Sequence, residues 1–145
     1  MPRMLDLIQM MMRGEVPPPP IAALIGFNLK AVEPGHAVVE MEATERHANP
    51  MGTLHGGVLC DIADAAMGMA YASSLEEGET FTTLELKVNF LRPVWTGKLI
   101  ADGRLVKGGH TVGLVECTIT DDRDRLVARA SSTCMTLRGD AAAGR

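Results

Sequence analysis

The sequence predicts an α+β domain in which a six-stranded antiparallel sheet wraps one long central helix, with a helical extension in front of it. Three observations carry this. Residues 54–74 are small and apolar on nearly every side of a 3.6-residue period, so a helix there has almost no solvent face and must be buried. Six stretches of β character surround it, two before and four after. Short turns join consecutive stretches, which makes them antiparallel neighbours, and such a sheet is the one surface available to cover an apolar helix. At 145 residues the chain is sized for a single domain with a substantial core.

Taken in order, the opening MPRMLDLIQMMMRGE reads as an amphipathic helix docked on the domain, ended by Gly14 and by prolines 17–20, which act as a stiff connector. Phe27–Glu33 and 36–44 are strands joined across the tight turn Pro34-Gly35. The helix follows, bearing Val58, Leu59, Ile62, Ala66 and Met67. Stretch 80–91 then alternates, with Leu84, Leu86, Val88 and Phe90 on one face and Thr83, Glu85, Lys87 and Asn89 on the other, and Pro93 closes it. Strands over 97–107, 111–120 and 125–137 complete the sheet, separated by Lys107-Gly108-Gly109-His110 and by the acidic turn 121–124. This divides the chain into an extension and connector over 1–20, the main domain over 21–138 and a flexible tail over 139–145.

Composition excludes several classes. A net charge of −4 without a basic stripe argues against nucleic acid as a partner. The apolar part of the opening segment is short, is broken by Asp6 and Gln9 and lacks a small-residue cleavage site, which argues against a signal peptide or a membrane span. Cys60, Cys117 and Cys134 are odd in number and show no CxxC spacing, so reduced core thiols and a cytoplasmic location are expected. His47, His55, Asp61 and Asp64 lack metal-ligand spacing, so no metal is expected; nor does any phosphate-binding loop motif occur.

The stretch NPMGTLHGG, residues 49–57, stands at the mouth of the buried helix. Gly56 and Gly57 let backbone approach a ligand closely, and the first turn of a helix offers unpaired N–H groups backed by the positive end of the dipole. Such donors suit an oxyanion. A carboxylate that activates water or attacks directly is the natural second component, and Asp61 and Asp64 both qualify by type.

The loop N-x-x-G-x-L-H-G-G, the acid nine positions after its histidine and the strand T-x-E-L-x-V-N-F-L-R-P together resemble the hotdog-fold acyl-CoA thioesterases, most of all the phenylacetate-degradation type. The resemblance spans 22–137 and implies hydrolysis of an acyl-CoA to free acid and CoA without a cofactor. It selects Asp64 as the acid, the N–H of Gly56 as oxyanion donor, Thr83 to orient the acid or its water, Asn49 to polarise the thioester or hold water, and His55 to steady the loop. Gly57, Arg92, Lys107 and His110 are candidates for binding substrate, the last three for CoA phosphates, although the family often carries arginine at the place of His110. Asp61 is read as solvated, capping or structural. Eight residues at ~1.5 Å each separate Gly56 from Asp64 by roughly 12 Å along the axis, too far for one thioester. The expectation is therefore a site shared between two copies, in a dimer or a dimer of dimers, as the family also implies. The alternative is a non-catalytic hotdog protein that binds an acyl-CoA or another apolar ligand.

Overall fold

A computed structural model describes residues 2–145. Helix α1 (Met4–Met12) buries Ile8, and Arg3 Nε at its start donates to Leu75 O at 3.3 Å. The prolines do not lead straight into the sheet as the sequence suggests. Pro20 opens a second helix, α2 (Pro20–Ile25), which Gly26 closes at φ 92° with its N–H on Ala22 O at 2.8 Å. Proline loses nothing at a first helical position, and glycine accepts the left-handed cap. Six residues are too few to display a helical period, so these two end signals are its only trace in the sequence.

Strands β1 (Phe27–Glu33) and β2 (His36–Ala43) form the expected hairpin. The central helix α3 (Gly56–Ala72) starts and stops two residues inside the expected 54–74. Ser73 just beyond it clamps the hairpin turn: its Oγ accepts the Gly35 N–H at 2.9 Å and faces the carbonyls of Glu33 at 2.9 Å and Ala70 at 2.8 Å. Strands β3 (Thr80–Phe90), β4 (Gly97–Gly108), β5 (Val112–Asp121) and β6 (Leu126–Leu137) complete one antiparallel sheet in the order β1-β2-β4-β5-β6-β3. A sheet curled about one helix in this way is the hotdog fold that the resemblance implies.

The core lies between α3 and the concave face. Ile62, Ala66, Met67 and Ala70 from the helix are sealed against Val39, Leu99, Val115, Ile119 and Val127 from the strands. Truncating one such isoleucine to alanine typically costs about 2–5 kcal/mol. Helix and sheet touch most closely at Gly103 of β4, where an added Cβ would stand 2.5 Å from Ala66 O. Only glycine fits that crossing.

The register of β3 departs from the alternation read along the sequence. Thr83 pairs with Cys134 and Glu85 with Thr133, so Leu84 is an extra residue bulged out of the ladder and is 53% exposed. A bulge shifts the two-residue period by one. Thr83 therefore turns toward α3, on the side of Leu86 and Val88, instead of away from them. At the C-terminus, Gly139–Ala142 wind into a 3-10 turn that buries none of its residues. No helix among the described residues is long and apolar enough to cross a membrane.

Candidate active site

The loop before α3 is a closed hydrogen-bonded unit. A 3-10 turn, Glu45–His47, is capped by Thr44, whose N–H donates to His47 Nδ1 at 3.0 Å. This leaves the imidazole proton on Nε2, which donates to Ile25 O at 2.7 Å at the end of α2. The carbonyl of His47 accepts the N–H of His55 at 2.9 Å. His47 thus ties the extension to the loop, a role with no signal in the motif itself. Asn49 organises the next turn: Oδ1 accepts from the N–H groups of Met51 at 2.9 Å and Thr53 at 3.2 Å, while Nδ2 donates to Thr53 Oγ1 at 2.8 Å.

His55 is the N-cap of α3. Its Nδ1 accepts the Gly57 N–H at 3.0 Å. Gly57 makes room for that cap, since a Cβ there would lie 2.9 Å from Nδ1. The N–H of Gly56 has no acceptor among the described residues and stands at the positive end of the helix. Above it lies the Phe90 ring, whose Cζ would be 3.0 Å from a Cβ on Gly56.

Two turns further along, Thr83 Oγ1 donates to Asp64 Oδ1 at 3.4 Å. Solvent reaches Asp64 from the open side of the chain while protein surrounds it elsewhere. Burial pushes its carboxyl above the ordinary aspartate value, the Thr83 hydrogen bond opposes this, and the charge of Asp61 adds to the rise. Asp61 is also raised by burial. The same burial raises Cys60 beside them, and Cys117, deep in the core, is pushed up to about 12, so neither thiol is poised as a nucleophile.

Asp61, Asp64 and Thr83 open onto a cavity of about 680 Å3. The sheet curls so far that both edge strands line it, β1 with Phe27 and Leu29 and β3 with Phe81, while α1 and α2 form a further wall. Asp61, read from the sequence as solvated, capping or structural, borders this cavity beside Asp64. The remaining candidates are not gathered here. Arg92 follows the Phe90 end of β3, Lys107 stands level with Glu85 in mid-strand through Leu114 and Thr133, and His110 lies at the Thr80 end, about 33 Å from the Phe90 end at ~3.3 Å per residue. Lys107 borders a shallow hollow of about 330 Å3 on the outer face of the sheet, and His110 O accepts from Arg138 Nη2 at 2.6 Å. No group of metal-ligating side chains occurs among the described residues.

Comparison with known proteins places this geometry. The model of the thioesterase superfamily matches residues 51–128, from the loop through α3, β3, β4 and β5 into β6. The chain belongs to the thioesterase superfamily. Thioester hydrolysis is its general chemistry, and the chain is a thioester hydrolase of this superfamily. A 1,4-dihydroxy-2-naphthoyl-CoA hydrolase of Listeria monocytogenes is 34% identical over 109 residues, covering 75% of this chain and 89% of the relative. The crystal structure of a phenylacetic acid degradation-related protein from Ralstonia eutropha JMP134 superposes with a TM-score of 0.81 at 35% identity, covering 88% of this chain and 98% of that one. The PaaI protein of E. coli, at 24% identity, shares the fold with a TM-score of 0.82 over 94% of this chain and 95% of its own.

Proposed function

We propose that this thioesterase hydrolyses acyl-CoA thioesters at two equivalent sites, each built from two copies of the chain. Water held by Asp64 and Thr83 attacks the thioester carbonyl carbon as Asp64 takes its proton. The oxyanion forms against the N–H of Gly56 from the other copy, and its collapse expels the CoA thiolate, which is reprotonated. A raised Asp64 pKa supports the role of base, because a carboxylate that holds its proton more tightly removes one from water more readily. His55 and Gly57 hold the donor in place, and Asn49 acts through the loop it closes.

The observation that carries this reading is the antiparallel run of α3 and β3. Gly56 lies against Phe90, Asp64 against Thr83 and Gly68 against Phe81, while β3 is an edge strand with no neighbour on its outer side. Pairing two such edges about a two-fold axis brings the Phe90 end of one copy beside the Thr80 end of the other. Gly56 of one copy then approaches Asp64 of its mate. The same operation carries Arg92 toward the end that bears His110, which supports a shared set of contacts to CoA phosphates.

Release of CoA, read with a thiol reagent over a panel of acyl-CoAs, tests the activity. Two variants test the shared site. Asp64→Asn is expected to lose about 100-fold to 10,000-fold in rate, the range for removing a general base. Gly56→Pro removes the donor at a helix position that tolerates proline, provided the exposed Phe90 ring shifts to make room, with an expected loss of about 100-fold to 1,000-fold and an unchanged circular dichroism spectrum as the check on folding. Mixed and reassembled, the two dead variants should regain activity, because one site of each mixed dimer is intact. A mixture that stays inactive after demonstrated exchange would refute the shared site.

A further inference from the structure

We propose that the N-terminal extension is the specificity wall of the acyl pocket, which takes an uncharged apolar acyl group of roughly six carbons or more and rejects acetyl and carboxyl-bearing acyl groups. This rests on the thioesterase reading above and adds the substrate class to it.

The cavity that ends at Asp64 and Thr83 measures about 680 Å3, in the middle of the range of ~300–1,000 Å3 for sites that enclose a drug-sized ligand. An acetyl group would leave most of it to water. One wall comes from Met11, Met12, Pro18, Pro19, Ile21 and Ala22, all of them outside residues 51–128 that the superfamily model matches. That wall is held at three points: Ile8 is buried against the domain, Arg3 Nε bonds Leu75 O at 3.3 Å, and His47 Nε2 bonds Ile25 O at 2.7 Å. Its inward atoms are thioether, aliphatic and proline carbons, and methionine side chains mould to irregular ligands.

Charge supplies the second half of the argument. Among the described residues the lining includes no lysine, arginine or histidine, while its ionisable groups are Asp61 and Asp64. A carboxylate carried on the acyl chain would enter a pocket whose walls from this chain hold two carboxylates and no cation to pair with it. Such a group would lose its water without compensation. Asp61, one turn before Asp64 and without a hydrogen-bond or ion-pair partner among the described residues, therefore acts as a filter on the acyl group.

The whole chain, assayed with acetyl-, butyryl-, hexanoyl-, phenylacetyl- and succinyl-CoA, tests this. Each methylene buried is worth about fourfold, so hexanoyl-CoA should exceed acetyl-CoA in kcat/KM by on the order of a hundredfold. Succinyl-CoA should fall well below butyryl-CoA, which has the same number of carbons. Ile21→Trp, at a half-exposed position that admits a larger ring, should lower the hexanoyl to acetyl ratio at least tenfold, whereas Leu24→Trp on the exposed side of α2 should leave that ratio alone. Equal rates on acetyl- and hexanoyl-CoA, equal rates on succinyl- and butyryl-CoA, or an unchanged ratio in Ile21→Trp would overturn the wall and leave the thioesterase reading standing. If no acyl-CoA is hydrolysed, the thioesterase reading falls. Calorimetry then decides the pocket: tighter binding of hexanoyl-CoA than of CoA, weakened by Ile21→Trp, upholds it, and equal binding overturns it.

Discussion

The two edges of the sheet are finished in opposite ways. At β1 the chain covers itself: α1 and α2 pack against the strand, a bulge breaks its ladder between Leu29 and Ala31, and Lys30 pairs with Glu40 at 3.8 Å. At β3 no strand among the described residues pairs with the outer side, and Leu84 and Phe90 are 53% and 56% exposed. An uncovered apolar edge strand is a template for another strand. Because the sheet curls around α3, the two edges approach each other across one strip of the helix, which carries Asp61, Asp64 and Ala65. One edge closes that strip with the chain's own extension, and the other leaves it for a second copy. The pocket and the seam thus divide specificity from catalytic completion.

The largest effect should come from the open edge. Leu84→Lys places a charge on the seam of each copy, and separation of the copies, read by sedimentation, should cost about 100-fold to 1,000-fold in rate, as for loss of an oxyanion donor. A variant that sediments as a monomer and keeps full activity would show that this edge has no part in catalysis. At the covered edge, His47→Ala unlatches α2 from the loop that caps α3. Leaving the Ile25 carbonyl and the Thr44 N–H without partners should cost about 1–3 kcal/mol in urea unfolding, with kcat falling further than KM rises.

Smaller effects test the strip between the edges. The base works only when ionised, so activity should fall as pH drops through a raised Asp64 pKa. Asp61→Asn removes a neighbouring negative charge and should move that acid limb to lower pH. Thr83→Val removes the hydrogen bond that stabilises the carboxylate and should move it to higher pH. Opposite shifts would mean that Asp64 is not the titrating group. The smallest effect is on stability. A carboxyl whose pKa is raised on folding contributes stability below its unfolded pKa and loses it as pH rises through the folded value. Asp64→Asn should therefore leave Tm at neutral pH unchanged or slightly higher, and a clear fall would give Asp64 a structural role.

Much of the architecture is written in the letters because it follows from periods. Val58, Leu59, Ile62, Ala63, Ala66, Met67, Ala70 and Tyr71 have nowhere to go but a core, and turns such as Pro34-Gly35 leave the strands beside them no choice but to pair. The HGG loop and the spacing to Asp64 are equally legible, since a helix start and an acid on its flank are local patterns. Helix α2 is short enough to be masked by its prolines, and the bulge at Leu84 has no marker in a strand whose alternation looks regular. That single extra residue decides whether Thr83 meets Asp64. Neither His47 on Ile25 nor Asp61 in the cavity was readable, because both depend on segments distant in the chain.

By itself the sequence determined the helix, the six strands and the chemical types at the mouth of the helix, because hydrophobic period, turn residues and helix-end chemistry act over a few neighbours. Only the tertiary structure decided which strands became edges, which side of Thr83 faced the acid and what walls the pocket. Those outcomes depend on how far the sheet curls and where the N-terminal segment docks, and both are set by packing summed over the whole molecule.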